Sequence, residues 1–95
     1  MLQIFATGIN ITTGTVSAGS AIPLNTSGAV PKFIRITASF AACVRIGTGA
    51  QTAVDTDAVV QPTAPLIIAT MGCTHVAAIQ QSVAGVVQVS PLEDI

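Results

Sequence analysis

The sequence predicts an all-β chain folded as a small antiparallel β-sandwich, jelly-roll-like or Greek key. Three observations carry this expectation. Val, Ile and Thr fill the short segments between breaks, and β-branched side chains resist helix and suit a pleated sheet. Turn signals recur throughout: Thr7-Gly8, Thr13-Gly14, Ala18-Gly19-Ser20, Asn25-Thr26-Ser27-Gly28, Gly47-Thr48-Gly49, Asp55-Thr56-Asp57, Pro62 to Pro65, Met71-Gly72 and Ala84-Gly85. Short strands divided by turns at such close intervals, with roughly 8–12 residues usual, indicate a sandwich or barrel. Where alternation is clean, its period is two.

Taken in order, the first strand is Leu2–Ala6, closed by Thr7-Gly8. Thr15–Ser17 and Ser20–Leu24 follow, divided at Gly19 and stopped by the Asn25–Gly28 turn. Lys32–Ser39 shows the clearest pattern. Ile34, Ile36, Ala38 and Phe40 share one face, and Arg35, Thr37 and Ser39 share the other. Ala42–Ile46 repeats the plan, with Ala42, Val44 and Ile46 inward and Cys43 and Arg45 outward. Thr48–Thr63 is the longest loop region. It holds a short strand at Ala58–Val60, and only Ala53–Val60 has room for a helical turn. Pro62 and Pro65 end it, and Leu66–Thr70, Thr74–Gln80 and Gly85–Ser90 complete the set. No tandem repeat or linker is visible, so residues 1–95 read as a single domain.

Composition excludes several functions. Charged residues are 7% of the chain, against about 25% in an ordinary soluble domain. The hydrophobic set is 51%, which is incompatible with intrinsic disorder. Lys32, Arg35 and Arg45 are the only Lys and Arg residues, too few to neutralise many phosphates, so nucleic acid is not an expected partner. No apolar run approaches the roughly 20 residues of a membrane helix, and Gly, Pro and Thr interrupt every long uncharged stretch. The start, Met-Leu-Gln-Ile-Phe-Ala-Thr-Gly, lacks the basic and apolar regions of a signal peptide, so synthesis in the cytosol with reduced thiols is expected. So little charge also implies a surface normally covered, by copies of itself or by a larger partner.

Candidate chemistry is sparse. Cys73 and His75 would share a strand face, and Cys43 could join them as metal ligands. The better reading is two small buried or half-buried thiols and a sheet histidine. Asp55 and Asp57 form a D-x-D that could hold Ca²⁺ or do acid–base work, but a solvated turn fits them better. One histidine does not make a hydrolase triad, and no Gly-Lys-Ser/Thr follows the glycines. The expectation is no enzyme, no metal and no cofactor. Lys32, Arg35 and Arg45 are interface candidates, to pair with Asp55, Asp57, Glu93 or Asp94 across an assembly. Equally, they could simply keep an edge strand soluble.

Val44-Arg45-Ile46-Gly47-Thr48-Gly49, Asp57, the Pro62–Pro65 turn, Thr74-His75-Val76-Ala77-Ala78-Ile79-Gln80 and Gly85-Val86-Val87-Gln88-Val89-Ser90-Pro91 together resemble a group of small tailed-bacteriophage virion proteins. Over about residues 33–92 the chain resembles the head decoration, or cement, proteins. The resemblance implies a compact β-sandwich, a homo-oligomer (a trimer at three-fold axes), and the major capsid protein as partner. It implies a place on the outer capsid surface after synthesis in the host cytoplasm. Residues 1–13 and 91–95 would then serve as extended arms pairing as extra strands with a neighbour. Rival readings are a tail, collar or fibre-associated virion protein, a small carbohydrate-binding module, and a cupin-like metalloenzyme using His75 with Cys73. The absence of Trp and Tyr weakens the sugar reading.

Overall fold

The computed structural model describes residues 2–4 and 7–94, and of Leu2, Gln3, Glu93 and Asp94 the backbone alone. Among the described residues there are nine strands and no helix: β1 (Leu2–Gln3), β2 (Ile9–Thr12), β3 (Ala18–Ala21), β4 (Phe33–Ala38), β5 (Ala42–Gly47), β6 (Ala58–Val60), β7 (Leu66–Ala69), β8 (His75–Gln80) and β9 (Val86–Asp94). Every pairing is antiparallel. Sheet one runs β1-β9-β4-β7, with β2 also on β9; sheet two runs β3-β8-β5-β6.

The pairs nest. β5 meets β6, β4 meets β7, β3 meets β8, and β2 meets β9. The chain is thus one long hairpin with β5–β6 at its tip. It is rolled so that β9 also pairs β4 and β8 also pairs β5. That nested, double-sheet order is a jelly roll. All-β folding follows locally from the β-branched segments, and rolling follows from the need to cover their apolar faces.

The core lies between the sheets. Ile34, Ile36 and Ala38 of β4 face Ala42 and Val44 of β5, Val76 and Ala78 of β8, and Val87 and Val89 of β9, with Ile11, Ile22 and Val60 at the margins. All are aliphatic. Each Val or Ile so buried contributes about 1.5–3 kcal/mol. Neither described Phe is buried: Phe33 and Phe40 are 38% and 51% exposed.

Several expectations need correction. Thr15–Ser17 is not a strand, because the chain bends there on its way from sheet one to sheet two. Phe40 does not share the inward face of Ile34. β4 ends at Ala38, and Phe40 sits in the bend that carries the chain to β5. Cys43 points outward as expected yet is fully buried. β8 begins at His75 rather than Thr74. Of the first predicted strand only Leu2–Gln3 is one; Phe5 and Ala6 lie outside the described residues.

Of the stretches named as arms, residues 2–3, 9–12 and 91–94 pair as strands in the sheet of their own chain. β1 pairs Glu93 and Asp94, and β2 pairs Val86–Val89. Met1 and Ile95 are outside the described residues. β9 also continues through Pro91, where the sequence suggests an end. Ser39 N–H donates to Val86 O (2.9 Å), and Thr13 N–H donates to Gly85 O (2.8 Å). Even-numbered residues of β9 therefore bond β4, and odd-numbered ones face β2 and β1. Pro91 is odd, and it lies where β2 has ended and β1 has not begun. Its missing N–H costs the ladder nothing. Just before β2, Gly8 passes so close to β9 that an added Cβ would lie 2.5 Å from the carbonyl oxygen of Val89.

The outer face of sheet two is covered by the chain between β5 and β6. Ala53 is buried there, over the equally buried Cys43 and Ala77, and its N–H donates to Ser17 Oγ (2.8 Å). This cover explains why Cys43 on β5 and Ala77 on β8, though they face outward, are apolar and fully buried.

Candidate functional site

Among the described residues, the predicted charged side chains do not form one surface. Lys32 is exposed, in the bend before β4. Arg35 is half-buried on the outer face of sheet one, level with Ser90 of β9 and Ile67 of β7. Among the described residues neither has an ion-pair partner. Glu93 and Asp94 place their backbones in β9, and their side chains lie outside the description.

Among the described residues, Arg45 and Asp57 are the candidates that the structure brings together. Arg45 Nη2 donates to Asp57 Oδ1 at 3.0 Å. Asp57 Oδ2 accepts the Val54 N–H at 2.9 Å, and the Asp57 N–H donates to Val54 O at 3.1 Å. The pair therefore pins the 54–57 turn onto β5 within one chain. The Val54 N–H and then the Arg45 guanidinium hold the Asp57 carboxyl below the ordinary carboxylate range. Asp55 is exposed, and its backbone oxygen receives the Cys43 thiol at 3.6 Å. Burial, with Asp55 and Asp57 nearby, pushes the Cys43 thiol up.

Cys43, Cys73 and His75 do not converge. Cys43 is under the sheet-two loop, Cys73 packs against the core just before β8, and His75 is on the outer face. Both thiols are free. Among the described residues no cluster of His, Cys, Asp and Glu has metal-binding geometry. His75 Nδ1 is 2.8 Å from Thr74 Oγ1, which also accepts the Gly49 N–H at 3.3 Å. These contacts tie the start of β8 to the Gly47–Gly49 turn.

A different surface stands out at one end of the sandwich. Val30, Pro31 and Phe33 face Ala69, Met71 and Gly72 across an open apolar groove of about 340 Å³, with Lys32 at its side. Buried Thr70 fixes the floor: its hydroxyl donates to Pro31 O (2.5 Å), and its N–H donates to Lys32 O (2.9 Å). The lip is the Met71-Gly72 turn. The Cys73 N–H donates to Thr70 O (2.8 Å), and φ is 52° at Met71 and 82° at Gly72. Two successive positive φ values make a type I′ turn, which favours Asn or Gly at its first position. Met71 occupies that position while 86% exposed.

The sequence carried part of this signal. Phe33 has the parity of Arg35, so alternation already places it outside, and Met71-Gly72 reads as a turn. That the two meet across a groove depends on β4 pairing β7, which no local pattern reveals. Compared with known proteins, the chain matches no family model, no curated sequence and no solved structure.

Proposed function

We propose that this chain is a structural, non-catalytic virion protein that binds the outer surface of a phage capsid and stabilises it. Its partner is the major capsid protein, and its working place is the assembled particle. The observation that carries the reading is the lip of the groove. A methionine is held in a backbone conformation suited to glycine and presented almost wholly to solvent beside exposed Phe33 and Val30. Strain and exposure together cost the free chain stability, and such features persist where a surface has work to do. Methionine is also the side chain that best adapts to an irregular apolar partner.

The rest of the molecule supports the same reading. A chain with 7% charged residues suits a protein whose surface is largely covered in its working state. Many copies, each making a modest apolar contact at a seam between shell subunits, hold a shell together through multivalency. Resemblance in residues 33–92 to head decoration proteins points the same way. The test is co-sedimentation of purified chain with expanded, empty shells. Saturable binding is expected, lost in Phe33→Asp while that variant stays folded. Binding confined to tails, or unchanged in Phe33→Asp, would overturn the reading.

A further inference from the structure

We propose that two copies of this chain pair edge to edge through β7, joining their first sheets across a two-fold axis at Ile68. The Thr70 N–H donates to Lys32 O, so even-numbered residues at β7 bond β4. Ile67 and Ala69 therefore turn their N–H and C=O groups outward, and β7 pairs no other strand among the described residues. Proteins usually blunt such an edge with Lys, Glu or a bulge. Leu66-Ile67-Ile68-Ala69 carries no charge and no bulge. Pro65 guards only its start.

The other edges are less open. β6 turns only Val59 outward, since Ala58 and Val60 lie level with the β5 residues that face it. β3 has a glycine at its centre, and the Ala21 carbonyl already accepts the Ser20 hydroxyl. β2 presents Asn10 and Thr12, polar residues that favour water.

The occupant is a second copy because the edge is complementary to itself. With the axis at Ile68, Ile67 of each chain lies opposite Ala69 of the other, and both exchange their free N–H and C=O groups. Ala69 is in register with Phe33. Ile67, 54% exposed in the single chain, then packs toward Phe33 of the second copy. No charged residue meets a like charge across the seam, because none stands on β7. The contact is isologous, so it closes as a dimer and does not propagate. It does not depend on capsid binding, since free chains pair or stay apart whether or not a shell is bound.

The experiment is sedimentation of the full chain from low micromolar to near-millimolar concentration, with amide exchange read at both ends. The expected mass rises from 9.5 kDa to twice that value. The amides of Ile67 and Ala69 should slow by about tenfold or more as it does. Ala69→Pro removes a donor the fold itself does not use, and Ile67→Lys places a charge on the seam. Both should remain folded monomers at the highest concentration. A wild-type monomer throughout, a trimer, a dimer that survives both substitutions, or unchanged exchange at Ile67 and Ala69 would each overturn the proposal.

Discussion

Met71 sets two free-energy terms against each other. A non-glycine residue in the left-handed region costs about 1–2 kcal/mol. Glycine there would avoid that strain but add about 0.5–1 kcal/mol of chain entropy to the cost of folding. Met71→Gly should therefore raise unfolding stability by about 0.5–1 kcal/mol, read from the urea midpoint, while weakening shell binding. A variant that loses stability and keeps binding would show that Met71 serves the fold. Asp57 is the other residue with a definite sign. Its folded pKa is depressed, so its contribution is complete above the ordinary value of 3.8 and fades as pH falls through the lower folded value. Between neutral pH and about pH 3, Asp57→Asn should flatten the acid-side loss of thermal stability. An unchanged acid limb would separate the Arg45 contact from stability. The sequence made Arg45 and Asp57 visible as candidates for an assembly contact. Their meeting inside one chain became clear only when the 48–57 loop was seen folded back over β5.

Elements were legible in proportion to their own periodicity. β4 could be read because Ile34, Ile36 and Ala38 alternate with Arg35 and Thr37. β8 and β5 followed for similar reasons. β2 was not read, although Ile9-Asn10-Ile11-Thr12 alternates just as cleanly, because four residues between two glycine turns look like a loose terminus. β9 was cut short at Pro91 because a strand proline usually ends a ladder. Whether it does depends on which neighbour its nitrogen faces, and that is a tertiary fact. Gly8 belongs to the same class. A methyl group there would press on the carbonyl of Val89, a backbone atom that cannot swing aside. Gly8→Ala should cost about 1–3 kcal/mol, seen as a lower urea midpoint and faster exchange of the β2 amides. A neutral substitution would mean that β2 can slide on β9.

At the scale of the whole molecule, the sandwich buries an aliphatic core and leaves an exterior poor in charge, with Val16, Ile67, Met71 and Val83 exposed. The chain exposes 5069 Å², close to the roughly 5,000 Å² that mass scaling gives a folded monomer of this size. The scarcity of charge is therefore not compensated by a smaller surface. Fold class was legible from composition and turn spacing because both act locally. Strand order was not, since nesting is decided by which apolar faces meet. The same limit hid the groove, whose two sides are about forty residues apart in sequence. The proposed shell-bound state would cover this exterior, and a chain acting alone would leave it wet. If the proposal holds, the most direct measurement is the copy number of this chain, by quantitative mass spectrometry, in purified phage particles from its source. A ratio near one copy per major shell subunit is predicted. A handful of copies per particle would move the chain to the tail or portal vertex, and absence from the particles would contradict the capsid-stabilising role.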